Sequence, residues 1–406
     1  MLSEKKLKFF ILFYFLLISF LSIYFLMGVN IVTTYNAMSE WVINYQGGFV
    51  RRGLIGELVF QISSFFNLDL RFCFLVLQSS LYLLYYYLIF NLIKNIKTNF
   101  IVLLTLFSPL FIIFPIAELE AIGRKEIIIF LVLLISINLY FKYKNNDILI
   151  LFVSIFYPII LLTFEASIFY SFFFISLILI TRKKINLRFL FRSFILSIPS
   201  LVCIYFIYFY PHQSDDTYKM CEELKKIGEE CGLATIFLSK KVDFHIAEVG
   251  WELSHVLRYI WIFILGYFPI IYLAFKTKFN QELINKFFLK TPFVLHMILL
   301  ILPTLIIFLI AVDSGRWIHM AYSCTFIYYF GLLKNQALII DKDLFIIKFN
   351  NEKLDKYFKI ILFILLAFSW NPKAVYHEDL GSFPLYRAIE KMPNFYDNIL
   401  NINILR

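Results

Sequence analysis

Lys8-Phe-Phe-Ile-Leu-Phe-Tyr-Phe-Leu-Leu-Ile-Ser-Phe-Leu-Ser-Ile-Tyr-Phe-Leu-Met27 is the stretch that decides the fold. After Lys8 it carries no charge, and an apolar run of about 20 residues matches the thickness of a bilayer core. Lipid offers the backbone no hydrogen-bond partner, so such a run crosses as a helix or as part of a closed barrel. Its apolarity is continuous rather than alternating, which selects the helix. Comparable runs recur at roughly 72–93, 100–117, 127–142, 148–164, 166–181, 193–210, 257–275, 293–312, 317–333 and 358–370. The chain therefore reads as all-α: a polytopic integral-membrane helical bundle with about 11 transmembrane helices, in one transmembrane domain over residues 1–406. The first run is too long for a signal-peptide core and no small-x-small cleavage site follows, so it is expected to be a retained span.

Charge sets the orientation. Of 406 residues, 61% are hydrophobic and 16% charged, with a net charge of +10. The excess of Lys and Arg lies in short connections: Lys5–Lys8, Lys94–Asn99, Lys142–Asp147, Arg182–Arg192, Lys276–Lys290 and Lys334–Lys359. Counting spans places all of these on one side, as the positive-inside rule requires. The N-terminus is then inside and the C-terminus outside, in a multi-pass protein of a bacterial inner (cytoplasmic) membrane. Positive charge spent on topology argues against a nucleic-acid partner and leaves membrane lipids as the surroundings.

Outward from the first span lies Asn44-Tyr-Gln-Gly-Gly-Phe-Val-Arg51-Arg52-Gly-Leu-Ile-Gly-Glu57. It belongs to a first outer loop, residues 28–71. Glycines permit a tight turn, and a helix starting near Leu54 points its free N–H groups back at that turn. Paired arginines supply forked donors that match phosphate oxygens. From Leu54 to Phe66 the polar residues Glu57, Gln61 and Ser64 form one stripe, which predicts an amphipathic helix lying in the outer interface.

The remaining unusual charges collect on the same predicted face. Glu40 precedes the arginines. Glu118, Glu120, Arg124, Lys125 and Glu126 share one turn, Glu165 sits in the tight turn Thr163-Phe-Glu-Ala-Ser167, and Asp313, Arg316, Trp317 and His319 share another. His377, Glu378 and Asp379 follow the last span. Ionisable groups near membrane depth cost roughly 2.5–3.5 kcal/mol on insertion scales, so a set of them calls for a reason. Arg51, Arg52, Arg124, Lys125 and Arg316 are the candidate (di)phosphate contacts. Glu165, Asp313, Glu126 and Glu40 are the candidate catalytic carboxylates. Trp317, His319 and His377 are candidate sugar contacts or bases, and His296, within a span, reads as a packing residue.

A large extracytoplasmic loop is expected over residues 211–256, with a solvated helix at Met220–Gly232. Cys221 and Cys231 are candidates for a disulfide there, while Cys73, Cys203 and Cys324 fall in spans and read as packing residues. No histidine, cysteine or carboxylate spacing suggests a metal site, and no P-loop or Ser/His/Asp order is present. No metal and no cofactor are expected.

A substrate that needs cations, carboxylates and a membrane face, with no nucleotide domain, is a polyprenyl-(di)phosphate-linked glycan. Three blocks, Asn44–Glu57, Gly123-Arg-Lys-Glu126 and Asp313-Ser-Gly-Arg-Trp317, resemble segments of O-antigen and capsule polysaccharide polymerases of the Wzy type. That resemblance implies polymerisation of polyprenyl-diphosphate-linked repeat units at the extracytoplasmic face. It implies diphosphate contacts for Arg51, Arg52, Arg124 and Arg316, and a base among Glu165, Glu126 and Asp313. A chain-length regulator and a flippase of the same pathway would be partners. The Arg-x10-Gly patterns of better-known members are absent. Glycosyltransferases of the GT-C type, which use polyprenyl-phosphate sugars and carry an acid in the first outer loop, are the alternative, with Glu40 as that acid. A lipid-linked oligosaccharide flippase or other transporter is the second alternative.

Overall fold

The computed structural model describes residues 4–31, 36–182, 185–209, 214–238, 247, 252–284, 288–340, 351–374, 381 and 383–393. Helices dominate. Five are long and apolar enough to cross a membrane: α1 (Glu4–Ile31), α4 (Leu70–Ile93), α8 (Asn146–Thr163), α10 (Leu187–Phe209) and α13 (Leu253–Phe275). Between them come α2 (Asn36–Trp41), α3 (Leu54–Phe66), α5 (Phe100–Leu106), α6 (Phe114–Ala117), α7 (Ile127–Tyr143), α9 (Ser171–Thr181), α11 (Ser214–Lys226) and α12 (Leu233–Leu238). After α13 follow α14 (Phe293–Ile301), α15 (Ser314–Lys334), α16 (Glu352–Phe368) and α17 (Pro384–Lys391). The only paired strands among the described residues, β1 (Thr277–Phe279) and β2 (Leu338–Ile340), run antiparallel with Lys278 opposite Ile339.

The core is built around α15, whose residues from Ser314 to Leu332 are all buried. Helices α7, α4, α13 and α14 pack on it. In a bundle of this kind polar side chains join helices where no apolar gradient drives them together. Ser22 and Tyr86 share a hydrogen bond of 2.7 Å between α1 and α4. Asn30 donates to Gln78 at 2.7 Å. His296 contacts Ser176 and Tyr328, each at 2.9 Å, linking α14, α9 and α15. By contrast α10 buries only Phe189 and Ile207 and leans on α8, a helix with most of its apolar surface unpaired within the chain.

Four runs expected as single spans differ in structure, each for a local reason. The run 100–117 breaks into α5 and α6, because Pro109 removes a backbone donor and blocks the preceding turn. The run 293–312 is α-helical only to Ile301 and continues as a 3₁₀ helix, Leu302–Leu309, with Pro303 at its start. The run 166–181 opens as a 3₁₀ turn, Glu165–Tyr170, before α9. The run expected at 358–370 begins earlier, at Glu352, where Asn351 caps the helix by accepting from Lys353 and Leu354. The solvated helix expected at Met220–Gly232 starts at Ser214 and stops at Lys226, and Gly228 beyond it has φ +81°.

Helix α3 matches its expected bounds. It buries Gly56, Val59 and Ser63 and turns Leu58, Ile62, Phe65 and Phe66 outward. An exposed apolar face on a short amphipathic helix suits a membrane interface. Its Glu57 accepts from Gln61 one turn on at 2.7 Å.

Candidate functional site

The twin-arginine turn is shaped by its neighbours. Trp41, fully buried at the end of α2, donates its indole N–H to the Gly123 carbonyl. Glu57 reaches back from α3 to accept from the Tyr45 amide at 3.0 Å and the Gln46 side chain at 2.7 Å. It therefore closes the loop and takes no part in the charged cluster. Gly56 lies against the Ile43 carbonyl, where a Cβ would come within 1.9 Å of the oxygen. Gly48 has φ +133° and abuts Asp216 of α11. Arg52 has φ +68°, a left-handed backbone that costs an L-residue roughly 1–2 kcal/mol. Two contacts hold it there. Its guanidinium makes a two-point pair with Glu165, at 2.6 and 2.8 Å. Its carbonyl accepts from Lys125 Nζ at 2.7 Å.

Around this turn the charges interlock. Glu40 is the hub: it accepts from Arg124 at 2.6 Å and from two nitrogens of Arg316 at 3.1 and 3.2 Å, with Arg52 3.7 Å away. Arg316 also pairs with Glu126 and, at 3.0 Å, with Asp313. Arg124 donates to the Glu120 carbonyl at 2.5 Å. Arg51 has looser company, 3.5 Å from Glu165 and 3.4 Å from the carbonyls of Phe237 and Leu238. Its Nε is buried without a partner.

Burial and charge compete at each of these groups. Burial alone would raise the Glu40 carboxyl, but Arg124, Arg316, Arg52 and Lys125 outweigh it and bring it down to about 2. At Lys125 burial wins. Glu40, Glu165 and Glu126 support its charge and Arg52 opposes it, and the ammonium is left at about 7. The carboxylates are unequal in access. The side chains of Glu40, Glu126 and Glu165 are 3%, 5% and 9% exposed, whereas that of Asp313 is 26% exposed. Asp313 has the one-point Arg316 contact, while Glu40 and Glu165 are each held through both oxygens.

The cluster opens into a cleft of about 170 Å³ lined by Glu40, Arg51, Arg52, Arg124, Asp313, Arg316 and Trp317, with Ala311 and Val312 at one wall. Ala234, Phe237 and Leu238 of α12 also line it. The α11–α12 hairpin is stapled by a Cys221–Cys231 disulfide with Cα atoms 5.6 Å apart. Met220 and Leu224 of that hairpin share a small apolar core with Trp41, Val42, Ile43 and Val50. Glu229 pairs with Arg71 of α4 through two contacts, at 2.7 and 2.8 Å. The volume is below the about 300–1,000 Å³ of a site enclosing a whole drug-sized ligand.

Of the residues singled out in the sequence, Glu40, Arg51, Arg52, Arg124, Asp313, Arg316 and Trp317 meet at the cleft, with Glu165 and Glu126 directly behind. Trp317 lies under Arg316, 5.1 Å from ring centre to guanidinium, and stacks on Phe164. Lys125 is 1% exposed and contacts the Arg52 backbone rather than the cleft. His319 faces away from it. Its Nδ1 lies 2.8 Å from the Leu110 carbonyl, its ring stacks on Phe114, and it borders a separate cavity of about 20 Å³. Burial and that single backbone contact remove it from ligand reach. His377, Glu378 and Asp379 lie outside the described residues. The free thiols behave as expected of packing residues, with Cys324 fully buried and Cys73 and Cys203 partly so.

The α12 contribution was missed in the sequence, although five of the six residues of Leu233–Leu238 are apolar, inside a charged loop. Among the described residues no group of three or more His, Cys, Asp or Glu is placed to share a metal ion. Comparison with protein-family models, with curated proteins and with solved structures returns no match to this chain.

Proposed function

We propose that the chain is a membrane glycosyltransferase that polymerises polyprenyl-diphosphate-linked oligosaccharide repeat units, of O-antigen or capsule type, at the extracytoplasmic face of a bacterial inner membrane. The observation that carries this reading is the convergence of Arg51, Arg52, Arg124 and Arg316 with Asp313 on one cleft, from three segments far apart in sequence. The disulfide in the cleft's roof supports an oxidising compartment on that side. With the cleft outside, about eleven apolar segments run alternately through the bundle, the N-terminus lies inside and the C-terminus outside.

The proposed chemistry follows from the unequal roles of the charges. Arg51, with its loose contacts, and Arg52 receive the diphosphate of the donor at headgroup level. Asp313, the accessible carboxylate, takes the proton of the acceptor hydroxyl. The acceptor oxygen bonds to the anomeric carbon as the bond from that carbon to the diphosphate oxygen breaks. The departing oxygen keeps the electron pair, and the guanidinium groups stabilise its charge. Glu40, Glu126 and Glu165 hold the arginines in place; Glu40 and Glu165 are too tightly paired to act as bases, and Glu126 is buried behind Arg316. Trp317, expected to touch sugar, is buried between Arg316 and Phe164 and instead backs the Arg316 guanidinium.

The GT-C alternative has one observation in its favour, the position of Glu40 at the centre of the cluster. Its contacts with three arginines count against a role as base. A flippase draws no comparable support, because the charge is concentrated at one site instead of lining a path. The deciding experiment is the lipid-linked product that accumulates when the gene is deleted. A complete repeat unit indicates a polymerase, and a unit lacking one sugar indicates a single-sugar transferase. With the polymerase reading, Arg51→Ala inserts normally and yields single-repeat glycan. Long chains from that variant refute its assigned role.

A further inference from the structure

Lys125 was expected to touch phosphate, yet its surroundings give it a different task. It is 1% exposed, on the turn between α6 and α7, and makes no ion pair among the described residues. Its Nζ donates to the Arg52 carbonyl at 2.7 Å. From the other side it lies 5.9 Å from the centre of the Trp41 ring, and Trp41 in turn donates to the Gly123 carbonyl. A buried ammonium with no carboxylate of its own is expensive and calls for a specific partner. The partner it has is the peptide oxygen of Arg52, the one arginine among the described residues with a left-handed backbone.

We propose that Lys125 is the positioning residue of the twin-arginine turn. It fixes the carbonyl of Arg52 so that the Arg52 side chain reaches Glu165 and that of Arg51 enters the cleft. The turn at 123–126 thereby sets the conformation of the turn at 51–52, some seventy residues earlier in the chain. Glycine at 52 would reach this backbone unaided but has no guanidinium. An arginine at 52 reaches it with a donor waiting at its carbonyl. The groups facing Lys125 are Glu40 on α2, Arg52, Glu165 in the 3₁₀ turn and its neighbour Glu126. Against the effect of burial, neighbouring arginines bring the Glu40 and Glu165 carboxyls down and Glu165 brings Arg52 up, whereas at Lys125 burial prevails. The phosphate consequence of the inference rests on the proposed function; the conformational part does not.

The test uses the full chain purified in detergent. Hydrogen exchange of peptides covering 44–57 is measured in wild type, Lys125→Met and Lys125→Arg. Lys125→Met is expected to speed exchange there at least tenfold and leave 314–334 unchanged, while Lys125→Arg, which keeps a charged donor, restores protection. Unchanged exchange in Lys125→Met overturns the inference, as does equal loss in both variants. Inorganic pyrophosphate binding is then followed by calorimetry. Lys125→Met is expected to weaken it at least tenfold. Wild-type affinity is expected to fall modestly relative to Lys125→Arg as pH rises through about 7, where the charge-assisted bond to the Arg52 carbonyl becomes that of a neutral amine. Affinity in Lys125→Arg as low as in Lys125→Met overturns the inference. If wild type binds no pyrophosphate but the exchange pattern appears, positioning stands and the phosphate reading of the arginines falls.

Discussion

Replacing Glu40 with glutamine tests whether the charged cluster is one interlocked unit. Glutamine keeps the size of the side chain and one acceptor oxygen, but it turns an amide toward Arg124 or Arg316 and removes the charge that three guanidinium groups share. The magnitude has two independent sources. The Glu40 carboxyl lies at about 2 against an ordinary 4.5. At about 1.4 kcal/mol per pH unit that difference favours the carboxylate in the folded protein by about 3 kcal/mol. Breaking a buried ion pair by removing one partner costs about 3–5 kcal/mol, which agrees. A folded value below the unfolded one means the stabilisation is complete above about pH 4.5 and disappears as pH falls through about 2. The variant should therefore be less stable at both pH 8 and pH 6, and somewhat more so at pH 6, where Lys125 is charged. Scaled to this length, the loss corresponds to a fall in Tm of about 3–6 °C. The assay is a thermal melt in detergent followed by tryptophan fluorescence, with Glu40→Gln/Arg316→Met as the partner variant. A Tm within about 1 °C of wild type would show that the cluster is a set of solvated pairs and that Glu40 organises nothing.

Two other outcomes are expected. Asp313→Asn keeps the Tm within a degree or two, because this side chain is partly exposed and singly paired, and lowers chain extension by about 10²–10⁴-fold, the usual contribution of a general base; wild-type extension removes Asp313 from that role. Cys221→Ala leaves the span helices intact but loosens the roof, so limited proteolysis cuts within 214–238 faster and chain extension falls. An unchanged cleavage pattern would mean that the Arg71–Glu229 pair and the small apolar core hold the hairpin without the disulfide.

The long apolar helices were legible because each is driven by its own apolar run, a property local in sequence. Breaks within them were less so. Pro109 and Pro303 were visible, yet whether a proline ends a helix, kinks it or turns it to 3₁₀ depends on what neighbouring helices offer to the freed carbonyls. The site was legible as a set and illegible as a geometry. Charges that cost energy at membrane depth stood out one by one, and sidedness put them on one face. Nothing in the sequence pairs Arg52 with Glu165, 113 residues away, or ranks Asp313 above Glu40 as the open carboxylate. His319 shows the limit: a histidine three residues after Arg316 sits on the same helix, one turn deeper, where burial among Phe114 and Phe130 withdraws it from the cleft. The roof was hidden for a different reason. Phe237 and Leu238 are ordinary apolar residues whose role comes only from where the hairpin folds.

The cluster sets Arg51, Arg52, Arg124, Lys125 and Arg316 against Glu40, Glu126, Glu165 and Asp313, so its charges nearly cancel. Seen from a distance greater than the about 8–10 Å over which physiological salt screens, such a site has almost no field. It does not draw anions in from bulk solution. With the lipid-linked substrate proposed above, encounter would be governed by lateral diffusion in the membrane, and turnover should be almost indifferent to ionic strength.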